Sequence, residues 1–592
     1  MNKPIAVGNS SFRMLRMEGA YYVDKTRFLK PLMESGNYVD LITRPRRFGK
    51  TLFLDTLRSF LSPVQSESDG VSPEVLFKGL DISRDEAFCN RFMGKTPVFF
   101  TSFKGIEGAD FPQAYRALAR KIASAAQSCA FLLQSERLSR ADKASLEQYA
   151  SLQFMRNLDN RDIAAGFLSD MICFFAKHYN RQVVLLIDEY DVPLEKAASH
   201  GYYDEMRFLI RGMLEILKPE GMPLINGLPI LGKAVLAGCL RVSKESIFTG
   251  VNNFSVNTVC TDNDTFAPAI GFTESEVGAL LLAYELDSRK DDVKRWYDGY
   301  RFGSSAIYCP WDVLNFCRFA LESRSPVDFE PRNFWTGTGG SEAIDEFLGF
   351  LSEEDASRMQ TLLDGGEIEC TLNEQLTYAD FAGHKSDDFW TLLLFTGYLT
   401  VSRQLGRDRF QLKIPNEEIR QTFRERIEVR FSSRNASFAQ HGVKLADAAL
   451  SGSADGMAEV LEPLLRKYVS VRDAASRAPA ENYYHGFLCA LLASAEARIQ
   501  DFASNAEAGD GYADIVFTSG TGSRRVGVVL EVKRAKSVED LRKAAQQALK
   551  QIEEKDYGSW FRKMRCAQYY AYGIAFCGKH CEVGGGTAAA SD

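Results

Sequence analysis

Two kinds of apolar pattern follow one another along the first part of the chain. An extended run, Tyr38-Val39-Asp40-Leu41-Ile42-Thr43, leads into a basic loop and then into a run carrying Leu52, Leu54 and Leu57, which predicts strand, loop, helix. Pro97-Val98-Phe99-Phe100, Val183-Val184-Leu185-Leu186-Ile187 and Ala234-Val235-Leu236-Ala237 are further short runs, β-branched or apolar on both faces, with amphipathic helical stretches between them. Continuous apolar strands alternating with helices predict a parallel sheet covered on both sides. Residues 1–262 therefore read as an α/β domain.

Beyond Thr261-Asp262-Asn263-Asp264 the period becomes mostly helical. Thr273 and Glu276 form a capping box, with Phe272 and Val277 placed as its hydrophobic staple, so a helix starts there. Residues 263–468 read as a helical middle region, punctuated by Trp335-Thr336-Gly337-Thr338-Gly339-Gly340, in which no chemistry is visible. Residues 469–583 form a last domain: a helical segment from Asn482 to Arg498, strand-like runs at Ala513–Phe517 and Val526–Lys533, and a long amphipathic helix. Ser537 is read as the N-cap of that helix, with Asp540 three positions on and Leu541, Ala545, Ala548 and Ile552 on one face. Tyr572–Phe576 is a strand end, and the glycine-rich 584–592 reads as a flexible tail.

Composition adds exclusions. With 592 residues, 45% of them hydrophobic, the chain exceeds one compact core and suggests three or four domains. No window approaches the ~20 apolar residues of a membrane helix, and Met1-Asn2-Lys3-Pro4 leads into polar sequence, so a cytoplasmic protein with no membrane partner is expected. The twelve cysteines are scattered, as reduced thiols would be. Cys577, His580 and Cys581 make only half of a zinc site. A net charge of −7 leaves no global basic footprint, so any contact with nucleic acid must come from a local patch.

Between the first strand and its helix lies Arg44-Pro45-Arg46-Arg47-Phe48-Gly49-Lys50-Thr51, where the end of a P-loop belongs. Gly49 lets the backbone come close to a phosphate, the helix N-terminus aims free N–H groups, Lys50 bridges the outer phosphates, and Thr51 can ligate Mg²⁺. The first glycine of a full Walker A motif is replaced by Arg44. Downstream, Val184-Leu185-Leu186-Ile187-Asp188-Glu189 is an apolar strand ending in two acids, the Walker B pattern: Asp188 would hold Mg²⁺ through water and Glu189 would polarise the attacking water. Asp191 reads better as a helix cap. The two segments fall in the right order on successive parallel strands, which predicts nucleotide binding.

A second set of acids lies near the C-terminus. Asp514 is on one predicted strand, and Glu531 and Lys533 share one face of the next because side chains alternate. Two carboxylates hold a hard divalent cation, and an adjacent lysine can orient or deprotonate the water that attacks a phosphodiester, the logic of a PD-(D/E)xK nuclease. The apolar run Val526-Gly527-Val528-Val529-Leu530 makes this a core strand with a charged end. Arg524, Arg525, Arg534, Lys536, Arg542 and Lys543 surround the module and supply either a local basic patch or a solvated face.

Tyr22-Val23-Asp24-Lys25-Thr26, the Arg44–Thr51 loop, Asp188-Glu189-Tyr190-Asp191, Arg241-Val242-Ser243-Lys244-Glu245-Ser246-Ile247-Phe248 and Trp296-Tyr297-Asp298-Gly299-Tyr300-Arg301-Phe302-Gly303 closely resemble a bacterial family described as AAA-ATPase-like with a C-terminal PD-(D/E)xK nuclease domain. Ser504 to Gly511, Asp514, Glu531, Lys533 and Ala548-Leu549-Lys550-Gln551-Ile552 fall in that family's order, and the sequence departs from it at Tyr512, where the family commonly has arginine. The resemblance covers almost the whole chain. It implies an α/β fold: a P-loop NTPase parallel sheet, a helical middle and an α/β PD-(D/E)xK nuclease-like domain.

By the same resemblance the arginine-rich loop (Arg46, Arg47, Phe48, Gly49, Lys50, Thr51) and Asp188 would bind nucleotide. Thr51, Asp188, Asp514 and Glu531 would ligate metal, and Glu189, Asp514, Glu531 and Lys533 would be catalytic. Arg241 and Asn253 are candidate sensors, Glu507 a third acid, and Gln551 a residue reaching the site or the DNA backbone. The expected ligands are ATP, Mg²⁺ or Mn²⁺, and nucleic acid, DNA before RNA, and the sequence is compatible with an oligomer. The leading expectation is an ATP-regulated, metal-dependent nuclease. The alternative is a nucleotide-dependent switch or interaction protein whose C-terminal fold binds without cutting. A metabolic kinase leaves the C-terminal acids unexplained.

Overall fold

The computed structural model describes residues 3–63, 71–218, 220–241, 248, 254–261, 266–323, 325, 329–335, 353–363, 365–373, 376, 378, 380, 386–432, 436–468, 481–493, 495, 498–509 and 511–590. The chain divides into two compact units, one made of residues 1–347 and 369–419, the other of residues 348–368 and 420–592.

The first unit is built on a five-stranded sheet: β1 (Val39–Thr43), β2 (Val98–Ser102), β3 (Val183–Asp188), β4 (Leu231–Gly238) and β5 (Phe254–Asn257), in the order β2-β3-β4-β1-β5 with every pair parallel. All residues of β1 and β3 are buried, which is why both read as unbroken apolar runs. The four strands expected from sequence are present, and β5 is an addition. The two motif strands are not neighbours: β4 lies between β1 and β3, pairing Ala234 with Val39 on one side and with Leu185 on the other. Because the sheet is parallel, the carboxyl ends of β1, β3 and β4 share one edge, where open α/β sheets bind ligands.

Among the described residues the region after β5 is largely helical, as expected, with an antiparallel hairpin and a small three-stranded sheet in it. The capping box at Thr273 and Glu276 is made in both directions, opening the helix Glu274–Ala283, and Phe272 and Val277 share its core. Lys25, from the first quoted motif, donates to Glu276 (2.6 Å) and to the Pro268 carbonyl (2.8 Å). The hairpin Tyr300–Phe302/Ser305–Ile307 carries the Tyr-Asp-Gly-Tyr-Arg-Phe-Gly motif, and Thr400–Gln404 pairs with Arg409–Lys413. Of the glycine-rich stretch, 336–340 lies outside the described residues.

The second unit holds a five-stranded sheet in sequential order: β6 (Gln500–Ala508), β7 (Gly511–Ser519), β8 (Val526–Arg534), β9 (Gln568–Cys577) and β10 (His580–Ala590). Only the β8–β9 pair is parallel. Two expectations change here. Residues 584–590, read as a tail, pair with β9 as the outer strand, because glycine and alanine leave a backbone that an exposed strand edge can recruit. The long helix begins at Leu541 with Asp540 as N-cap, whereas Ser537 opens a preceding 3₁₀ turn and donates its hydroxyl to Asp540 at 3.2 Å. Leu541, Ala545, Ala548 and Ile552 are buried on its inner face as predicted.

That helix lies close on the sheet at Gly573, the β9 partner of Glu531. A Cβ on Gly573 would stand 2.1 Å from the Ala545 carbonyl oxygen and 2.8 Å from the Leu549 nitrogen. Gly573→Ala is expected to lower stability by about 2–3 kcal/mol through overpacking, read as a lower denaturation midpoint at unchanged m-value. An unchanged midpoint would contradict this packing.

Candidate nucleotide and phosphodiester sites

At the first site the loop after β1 turns on two residues in the left-handed region, Arg47 (φ 71°) and Gly49 (φ 98°), and Gly49 caps the helix Lys50–Leu61. Nothing lies within 4 Å of where a Cβ on Gly49 would be, so the loop is open on that side, as approach of a phosphate requires. Lys50, 7% exposed, donates to the carbonyls of Arg44 and Pro45, both at 2.8 Å, and lies 3.8 Å from the Cys239 sulfur. The ammonium is thus already aimed into the concavity of its own loop.

Thr51 Oγ1 donates to Asp188 Oδ2 at 2.7 Å, so the two residues predicted to share a cation are in contact. Asp188 is 2% exposed, and its other oxygen, Oδ1, is buried without a hydrogen-bond partner. Burial pushes its carboxyl above the usual range, against the lowering effects of the Thr51 hydroxyl and the Lys50 charge. Glu189 leaves β3 at φ 51°, and burial, then the neighbouring Asp188, raise its carboxyl as well. A buried carboxylate with an unmade contact is the donor set a divalent cation satisfies.

The rest of the loop makes contacts within the unit. Arg44 is 1% exposed, donates to the Thr43 and Asn257 carbonyls (2.8 and 3.0 Å), and sits over the Phe302 ring. Burial brings its guanidinium down to about 10. It ties β1 to β5, a strut in the place of the missing glycine. Arg46 pairs with Glu195 at 2.7 Å. Arg47 donates to the Phe334 carbonyl at 2.6 Å and stacks on Trp311. Phe48 is buried against Tyr300 and Phe302. Of the three, Phe48 can offer a ligand only its backbone. Asp191 stands at the N-cap position of the helix Val192–His200 but makes no side-chain bond to it; its carboxylate accepts instead from the backbone N–H groups of Cys239 and Leu240 at 2.8 and 2.9 Å, so it holds the chain leaving β4 and does not cap the helix as expected. Arg241 lines a polar cleft of about 580 Å³ with Asn373, Asp387, Arg407 and Asp408, and Asn253 lies outside the described residues.

At the second site β7 and β8 bring Asp514 beside Glu531. Asp514 Oδ2 accepts the Val532 N–H at 2.7 Å. Glu531, 1% exposed, accepts from Lys533 Nζ at 3.1 Å through Oε1, while Oε2 is buried and unpartnered. Burial, then the Asp514 charge, push the Glu531 carboxyl up to about 7, with Lys533 opposing. Gln551 donates to the Tyr557 hydroxyl at 3.3 Å, which donates to the Tyr512 carbonyl at 2.8 Å, so Gln551 braces the strand that carries Asp514.

Other expectations separate from this centre. Glu507 is exposed opposite Tyr512, and among the described residues no group of three or more His, Cys, Asp or Glu side chains converges on a metal position. Arg525 is a strut, bound to the Met564 carbonyl (3.0 Å) and to Asp501, while Arg524, Arg534, Lys536, Arg542 and Lys543 are exposed. Cys577 and His580 pair across the β9–β10 turn and Cys581 enters the core. The twelve cysteines are thiols, none of them in a disulfide.

The first unit's phosphate loop and the second unit's acidic strand pair define a nucleotide-binding fold followed by a nuclease-type fold. Residues 6–248 match the family described as Predicted AAA-ATPase, and residues 479–585 match the PD-(D/E)XK nuclease superfamily. The chain thus joins a domain of the predicted AAA-ATPase family to a domain of the PD-(D/E)XK nuclease superfamily. It is also similar to an uncharacterized protein in the vnfD 5′ region of Azotobacter chroococcum mcd 1, 27% identical over 460 residues, covering 77% of this chain and 76% of that protein. No helix among the described residues is long and apolar enough to cross a membrane.

Proposed function

We propose that the chain binds and hydrolyses ATP at the Gly49-Lys50-Thr51 loop and cleaves nucleic-acid phosphodiesters, DNA before RNA, at Asp514, Glu531 and Lys533. The observation that carries the second half is the Glu531 carboxylate, buried, facing Asp514 and leaving one oxygen without a partner. A buried carboxylate facing a second one is costly unless something neutralises it, and a divalent cation does so. When bound, such a cation supplies Lewis-acid polarisation of a phosphate and acidifies a bound water. Asp514 and Glu531 would hold it at the second site, and Thr51 and Asp188 at the first; Mg²⁺ suits both donor sets and Mn²⁺ the second.

Within the chain, Lys533 would orient an attacking water as the ammonium that Glu531 holds at 3.1 Å, or take a proton from that water once it has itself given one up to become the neutral amine. At the first site Lys50 would exchange the Arg44 and Pro45 carbonyls for phosphate oxygens, and Glu189 would orient the water. Domain limits of 1–262, 263–468 and 469–583 are the division we propose for these functions.

Protonation of Glu531 gives the test. Because its carboxyl holds a proton up to about 7, a cation must displace that proton below this pH. The affinity for Mn²⁺ that Glu531→Ala removes is expected to rise about tenfold per pH unit from 5.5 to 7 and to level off above. Calorimetric titration checks this, and an affinity flat across that range would contradict the assignment.

A further inference from the structure

One histidine outside the acid–lysine set touches the second site from behind. His485, on the helix Glu481–Ala493, places Nε2 2.9 Å from the main-chain carbonyl oxygen of Asp514. A carbonyl only accepts, so Nε2 carries the proton and donates. The same nitrogen lies 3.3 Å from Ser504 Oγ and 3.8 Å from the Cys489 sulfur, so the Asp514 carbonyl is the nearest acceptor for its one proton. The contact falls where β6 is irregular. Ser504 pairs with Ile515 and Ala506 with Ala513, and Asn505, between them and opposite Asp514, takes φ 52°, a left-handed value inside a strand.

Asp514 is thereby held at both ends. Its carboxylate is fixed by the Val532 N–H and its carbonyl by His485. The helix itself is packed into the sheet's core through Tyr484, Phe487, Leu488 and Leu491, so the imidazole is delivered from a rigid element. We propose that His485 is a positioning residue for the cation-binding acids: it sets the backbone of Asp514 so that the carboxylate faces Glu531. This rests on the reading of Asp514 and Glu531 as cation ligands. Partners of this kind that orient a ligand from outside the coordination sphere typically change metal affinity by about 10- to 100-fold when removed.

Glutamine can place its amide nitrogen near the Nε2 position, whereas alanine and leucine offer no donor. The full-length chain and its His485→Ala, His485→Gln, His485→Leu and Glu531→Ala variants would be titrated with Mn²⁺ alone at pH 8, with melting recorded for each. The signal that Glu531→Ala removes defines the site. The expected result is a loss of roughly tenfold or more in Mn²⁺ affinity for His485→Ala, and near-wild-type affinity, within about threefold, for His485→Gln. Should His485→Ala not fold, His485→Leu takes its place with the same expected loss. Unchanged affinity in the donor-less variants, or a folded His485→Gln as weak as they are, would overturn this inference alone. Wild-type protein with no Glu531-dependent Mn²⁺ signal would overturn the cation reading and this inference with it.

Discussion

Glu531→Gln is expected to abolish cleavage while making the protein more stable. Loss of the charge that holds the cation removes several kcal/mol of transition-state stabilisation, so cleavage falls by about a thousandfold or more. The stability change has the opposite sign. Folding raises the Glu531 carboxyl from 4.5 to about 7, so the folded state binds this proton more tightly than the unfolded chain. The fold therefore loses stability as pH rises from about 4.5 to 7, and above 7 it bears the full cost of burying the ionised group. Glutamine keeps the shape without that charge. Part of the benefit is offset by burying the glutamine amide, which leaves a gain of about 1 kcal/mol at pH 8 in metal-free buffer and little near pH 4.5. Denaturation curves at the two pH values, beside a cleavage assay, would show it. A variant that loses both activity and stability at pH 8 would mark Glu531 as a structural residue.

Lys50→Ala is expected to lose ATP binding by about a hundredfold, the worth of one to two charge-assisted hydrogen bonds. ATP should raise the melting midpoint of the wild type and leave that of Lys50→Ala unmoved. The variant's own midpoint should also fall in the absence of nucleotide, because the ammonium ties the Arg44 and Pro45 carbonyls together. An equal ATP-induced shift in both proteins would remove Lys50 from the nucleotide site.

How much of this was readable from sequence depended on the range of the interaction. β1, β3, β4 and the helix from Leu541 announced themselves because each is a local apolar pattern buried on a predictable face. Asp188 and Glu531 were legible for a related reason: an acid at the end of an apolar strand is exceptional within its own few residues. What stayed hidden was set by distant partners. Phe48 sits in a loop of polar neighbours, and only the hairpin some 250 residues on, with Tyr300 and Phe302, makes it a core residue. Arg44 reads as a basic loop residue until Asn257 takes its guanidinium. Arg525 likewise reads as part of a basic face until Met564 and Asp501 occupy it.

β6 and β10 went unseen because β6 is built of small or polar and mostly exposed residues and β10 is rich in glycine and alanine, so pairing with a neighbour defines them more than any alternation of their own. His485 carried no local signal at all. It lies on an apolar helix, where a single histidine is unremarkable, and the Asp514 carbonyl that gives it a role is 29 positions away.

The most direct test is a cleavage assay on single- and double-stranded DNA and RNA with wild type, Lys50→Ala and Glu531→Ala, varying divalent metal and ATP independently. Metal-dependent cutting by the wild type that Glu531→Ala abolishes while still binding ATP, and that in Lys50→Ala no longer responds to ATP, is the predicted result. Absence of cutting on every substrate, with or without nucleotide, or cutting that survives in Glu531→Ala, would contradict it.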